Sequence, residues 1–216
     1  MNQTGTDVNR ILLHGRAAQP PAFSHCNHQV EFFTFPLLVQ RLSGISDQVN
    51  VTVSRPLLEH CGWPEPDTEL TVRGEVRTFN NRSGVGNRLI ISVFAKELLW
   101  EECEDENRLL LSGTLCKPPS LRATPLGRTI CDMILAVNRR YGRADYLPCI
   151  AWGSLAHRCG ALEVGSSLRL DGRLQSRTYT KNYGDHTEVR TAFEVSIMNL
   201  LPQETPCSSS ISVLLT

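Results

Sequence analysis

The strongest constraint in this sequence is that it repeats itself. Asn9-Arg10-Ile11-Leu12-Leu13-His14-Gly15 returns as Asn107-Arg108-Leu109-Leu110-Leu111-Ser112-Gly113, an offset of 98 positions. Pro20-Pro21 returns as Pro118-Pro119, Cys61-Gly62 as Cys159-Gly160, and Leu70 and Gly74 as Leu168 and Gly172, all in that register. A fixed offset carried through separate segments marks duplication of one structural unit. Late in each half the spacing widens, Leu98-Leu99 matching Leu200-Leu201 at 102 positions, which predicts about four extra residues in the last loop of the second half. With 216 residues, two units of about 100 fit, and 41% hydrophobic residues allow each a modest core.

Each unit reads as short strands with one short helix. In the second, strands are predicted at Arg108–Thr114, Arg128–Val137 and Tyr146–Trp152, the last ended by Gly153. Ser154 reads as the N-cap of a helix carrying Leu155, Ala156 and Cys159, closed near Gly160. A fourth strand follows at Ser167–Tyr179, with Gly172 where a barrel strand bends, and a fifth at Val189–Leu200 beyond a turn at Lys181–Gly184. The first unit repeats the plan at Arg10–Arg16, Gln29–Val39, Val49–Val53, Glu69–Thr78 and Arg88–Leu99, with a helix at Pro56–Cys61. Five strands with a helix between the third and fourth make the OB-fold arrangement. The expected fold class is therefore all-β: two tandem five-stranded OB-fold barrels, at 1–100 and 107–202, joined by an acidic linker at 101–106 and followed by a short tail at 203–216.

Composition removes several classes. No apolar run approaches the ~18 residues of a membrane span, and residues 1–7 lack the apolar region of a secretory signal, so a soluble, cytoplasmic protein is expected. The eight cysteines form no C-x-x-C pair, and His25-Cys26-Asn27-His28 has no second ligand pair. No metal and no cofactor are expected, and the thiols read as reduced. Asp132, Asp145, Asp171 and Asp185 are scattered without a catalytic motif, so no enzyme activity is expected. Net charge is zero, but residues 1–104 hold 9 Lys+Arg against 12 Asp+Glu and residues 105–216 hold 13 against 10, which draws a polyanion to the second half.

Leu135-Ala136-Val137-Asn138-Arg139-Arg140, Ala151-Trp152-Gly153 and Val164-Gly165-Ser166-Ser167-Leu168-Arg169-Leu170-Asp171-Gly172-Arg173-Leu174-Gln175-Ser176-Arg177-Thr178-Tyr179 closely resemble the bacterial single-stranded DNA-binding proteins. The likeness spans about Asn107 to Leu201; the first half enters mainly through the repeat. It implies sequence-independent binding and protection of single-stranded DNA in replication, recombination or repair. Family members with two OB-folds per chain act as dimers, so a homodimer presenting four OB-folds is implied. Many end in an acidic tip that recruits replication and repair proteins; the ending Ser208 to Thr216 lacks one, which puts a recruiting role in doubt. The alternative is a protein-interaction module of the primosome type with weak nucleic-acid binding.

The physics of such a site is independent of the resemblance. Unpaired bases offer π-faces to aromatic rings, each contact contributing about 1–3 kcal/mol, and neighbouring arginines neutralise phosphates. Stacking does not inspect the 2′-hydroxyl, so RNA fits the same surface. The expected platforms are Tyr141, Tyr146, Trp152 and Tyr179, with Tyr183 at the loop tip; Arg139, Arg140 and Arg143 flank the first, and Arg173, Arg177 and Lys181 the others. A strand aromatic is ordinarily core, and Tyr146 and Trp152 are the rings most open to that reading. In the first half the positions matching Tyr141, Trp152 and Tyr179 are Ser43, Ser54 and Asn81, so it is expected to stack few bases, with Phe79 and Arg77 as substitutes, and to extend the electrostatic path or serve assembly.

Overall fold

Alternation of apolar and polar residues becomes a chain of strands in the computed structural model, which describes residues 8–81, 87–139, 142–182, 184 and 186–202, without the side chain of Lys181. The first unit contains β1 (Asn9–Ala17), β2 (Ala22–Asn27), β3 (Val30–Gln40), β4 (Ser46–Ser54), α1 (Arg55–Cys61), β5 (Glu69–Asn80) and β6 (Leu89–Leu99). The second contains β7 (Glu106–Leu115), β8 (Ser120–Ala123), β9 (Thr129–Asn138), β10 (Ala144–Trp152), α2 (Ser154–Gly160), β11 (Ser167–Asn182) and β12 (Thr187–Leu201). β1 pairs with β3 and β4 in parallel with β6 in the first unit, as β7 pairs with β9 and β10 in parallel with β12 in the second, closing an OB-fold barrel in each. The alternating residues Phe35, Leu37, Val49, Val51 and Val53 fill one interior, and Met133, Leu135, Leu147 and Cys149 the other.

Four details depart from the sequence reading. β2 and β8 are additional edge strands, exposed along their whole length and held by the backbone ladder to β3 and β9. With no buried face they carry no hydrophobic alternation to read. Gly153, at φ 59°, caps α2, and Ser154 is the first helical residue. The extra residues of the second unit lengthen its hairpin instead of the loop: β11 and β12 have 16 and 15 residues against 12 and 11 in β5 and β6. The acidic connector ends early, because Glu106 already pairs with His14 in the β1–β7 ladder.

Both long strands bend where the sequence places glycine. The ladder shifts register between Arg73 and Gly74 and between Asp171 and Gly172. A Cβ on Gly74 would lie 2.2 Å from the Phe94 carbonyl oxygen, and one on Gly172 2.4 Å from that of Ser196. Only the residue without a side chain lets the strands approach this closely.

The duplication is also a symmetry. β1 and β7 pair antiparallel, with Ile11 opposite Leu109, its own repeat partner, so a pseudo-two-fold passes between them. The strand order β2-β3-β4-β6-β5-β1-β7-β11-β12-β10-β9-β8 reads the same from either end once repeats are equated. Asn9 makes two bonds to the Val76 backbone, and Asn107 makes the same two to Leu174.

Candidate nucleic-acid interface

β10 carries the clearest platform. Its alternation turns Leu147, Cys149 and Ala151 inward, while Tyr146 and Trp152 point outward with 53% and 39% of their surfaces exposed. They share one face of one strand, about 20 Å apart at the strand rise, with half-buried Pro148 and buried Ile150 between them. Trp152 is thus a surface ring. Two exposed rings on an open sheet face can each take an unpaired base.

Tyr146 lies against the first barrel. Its amide donates to Thr78 Oγ1 (3.3 Å), beside a buried charge centre at Asp145. The Asp145 carboxylate accepts from Arg139 through two nitrogens, from Arg77 Nη1 (3.2 Å), and from the Thr78 amide and hydroxyl (2.5 and 3.0 Å). Burial opposes its charge, but the Arg139 guanidinium and the Thr78 amide outweigh burial and hold this carboxyl below the usual aspartate range. The Arg139 guanidinium also sits 5.6 Å from the centroid of Phe79, whose ring is 39% exposed. Phe79, Arg77, Arg139 and Tyr146, predicted on two separate barrels, therefore meet at one seam.

That meeting corrects the roles predicted for two arginines. Arg77 and Arg139 each have 19% of the side chain exposed and are engaged by Asp145, Arg77 also by Glu75. They join the barrels and leave little of the guanidinium open to a phosphate. On the electrostatic path expected along the first barrel, Arg41 is likewise held by Asp47 with little of it exposed, whereas Arg55 and Arg73, paired with Glu31 and Glu97, keep about half of their side chains open to solvent. Asp47, 1% exposed, mirrors Asp145 across the pseudo-two-fold, binding Arg41 and the Ser176 amide and hydroxyl; burial opposes its charge and these partners lower its pKa nonetheless.

The long hairpin of the second barrel carries a second group. Arg177 is 58% exposed, with Nε 3.9 Å from Glu194 Oε2. Tyr179 is half-buried, its hydroxyl donating to Asn87 Oδ1 (3.4 Å) of the first barrel. Arg143 is exposed at the β9–β10 turn. Arg173 is not brought to these residues. It lines a depression of about 1010 Å³ along β1, β7 and β11 with Arg10, Lys96, Arg108 and Asp171, whose wall includes none of the predicted rings. Arg140, Tyr141, Tyr183 and the Lys181 side chain lie outside the described residues.

The sequence held a signal for the seam that went unread. Arg41 and Asp47 recur as Arg139 and Asp145, and Thr78 as Ser176, at the offset of 98. A charged pair six residues apart, conserved between repeats, announces a structural clamp. The same arithmetic applied to Tyr146 and Pro148 gives Gln48 and Asn50, which line a cleft on the first barrel.

Comparison with known proteins places this geometry. Residues 106–201 match the Single-strand binding protein family. The single-stranded DNA-binding protein of Halalkalibacterium halodurans is 35% identical over 104 residues, covering 45% of this chain and 62% of that protein. Single-stranded DNA-binding protein 3 of Listeria innocua is 34% identical over 113 residues, covering 49% of this chain and 71% of that protein. The chain thus spans less than two thirds of the H. halodurans protein. The fold extends across both barrels: the crystal structure of wild-type single-stranded DNA binding protein from Thermus aquaticus superposes with a TM-score of 0.74 over 94% of this chain and 97% of that one, at 22% identity. From the sequence match in the second barrel and the shared tandem fold, the chain belongs to the single-strand binding protein family.

Proposed function

We propose that this chain binds single-stranded DNA with little regard to sequence and serves its protection in replication, recombination or repair. The observation that carries the reading is the pair of outward rings on β10, Tyr146 and Trp152, on an open barrel face. Relatives named single-stranded DNA-binding proteins support DNA as the polymer. The role is binding, without catalysis. A protein-docking module would have no need of two solvated rings spaced along one strand, so the interaction-module alternative is the weaker account.

Tyr146, Trp152, Tyr179 and Phe79 supply the stacking surface, and Arg143 and Arg177 the charge nearest it. The two barrels form the working domains, joined by the acidic connector. Two copies pair to present four barrels, which raises affinity through effective concentration. Light scattering tests this: a dimer supports it, and a stable monomer near 24.1 kDa overturns it. No helix among the described residues is long and apolar enough to cross a membrane, and the setting proposed is the bacterial cytoplasm, on the nucleoid.

The deciding experiment is tryptophan-quenching titration with poly-dT and with duplex DNA at several salt concentrations. Quenching by poly-dT, affinity falling with salt and weak duplex binding are the expected results. Equal affinity for duplex, or no binding to poly-dT, overturns the reading.

A further inference from the structure

The cleft on the first barrel differs in chemistry from its counterpart on the second. It is a depression of about 650 Å³ over β3, β4 and β6, with Phe79 and Ile90 among its walls. Among the described residues lining it there is no lysine, arginine, aspartate or glutamate. Its polar groups are amides, hydroxyls and, at the β2 rim, the His25 imidazole, which is engaged by the Ser24 hydroxyl and stacked on Phe32; Gln48 and Asn50 stand side by side on the outer face of β4. Thr52 and Ser92 are already bonded to each other at 2.6 Å, so the floor is satisfied. The side-chain amides of Gln48 and Asn50 have no partner among the described residues. At the same places in the second barrel stand Tyr146 and Pro148, and Arg177 replaces Phe79. Between repeats, this face has exchanged rings and charge for a ring and amides.

A carboxamide presents an N–H donor beside a carbonyl acceptor. That pair complements the N6–H donor and N7 acceptor of adenine. On its N7 edge guanine shows two acceptors and calls for arginine or lysine, which this lining lacks. The cleft also adjoins the surface already described. Phe79 lies beneath Arg139, and Asp47, next to Gln48 in the chain, binds Ser176, next to the exposed Arg177. Both ends of the cleft thus border residues of the second barrel.

We infer that the first-barrel cleft seats an adenine of a strand held on the second barrel, with Phe79 stacking on the base and Gln48 and Asn50 reading its edge. It rests on the single-strand reading and adds a base preference at one position of otherwise indifferent binding. Because the contacts are neutral, the preference persists when salt weakens the whole.

The test uses the full chain and oligo-dT strands carrying a central run of adenine or of guanine. The unsubstituted protein is expected to favour the adenine strand by about fivefold or more. A Gln48→Leu/Asn50→Leu variant, which replaces both carboxamides with hydrocarbon at two surface positions, is expected to bring that ratio near one while leaving oligo-dT affinity within about twofold. Tyr146→Ala is expected to weaken every strand and leave the ratio intact. Equal affinity of the unsubstituted protein for both strands, or an unchanged ratio in the double variant, overturns the inference alone. Failure to bind any strand overturns the single-strand reading and this inference with it.

Discussion

Replacing Asp145 by asparagine tests whether the seam is the mechanical joint between the barrels. The carboxylate is fully buried, and its partners come from both units: Arg139 from its own, Arg77 and Thr78 from the other. Removing one partner of a buried ion pair costs about 3–5 kcal/mol. Each arginine retains some contact with solvent and the amide still offers one acceptor, so the lower end applies, about 3 kcal/mol. Asp47 holds one arginine where Asp145 holds two, and Asp47→Asn is expected to cost about 1 kcal/mol less. Urea unfolding at neutral pH measures both, and about 3 kcal/mol corresponds to a melting temperature lower by roughly 6–12 °C for a chain of this length. The pH dependence supplies a second reading. The folded-state pKa of Asp145 is depressed, so its contribution is complete above the unfolded value near about 4 and lost as pH falls through the folded value. The gap between the parent and Asp145→Asn should therefore close on acidification. A cost below about 1 kcal/mol at neutral pH, or a gap unchanged at about pH 3, refutes the argument.

Other consequences are measurable with the same preparation. Tyr146→Ala and Trp152→Ala should each weaken poly-dT binding by about 1–3 kcal/mol with unfolding midpoints little changed; a large loss of stability would mean the rings are packing residues after all. Gly172→Ala should destabilise strongly, because the added Cβ meets a backbone carbonyl oxygen at 2.4 Å, and a normal melting curve would contradict the close approach. Burial pushes the thiols of Cys131 and Cys149 up and that of Cys159 to about 11, whereas Cys26 and Cys103 are exposed. Iodoacetamide at about pH 8 should therefore label Cys26 and Cys103 and spare the buried three until the protein unfolds; rapid labelling of Cys149 in the native state would refute that.

What the sequence determined by itself was everything periodic. The offset of 98 and the alternating residues of β3, β9 and β10 disclosed two like barrels, because burial of one strand face writes itself into the order of the residues. Tyr146 fitted both a core and a surface ring in the sequence, and the pairing of β10 with β9 turned it outward. The tertiary structure alone decided what lies across the pseudo-two-fold. Arg77 and Asp145 are 68 positions apart, and only the β1–β7 pairing turns two surface arginines into a clamp on a buried carboxylate. It likewise decided that β2 and β8 are strands, since a backbone ladder with no buried face leaves no residue pattern behind. Local chemistry repeats along a chain, but a contact between distant segments exists only once the chain has folded.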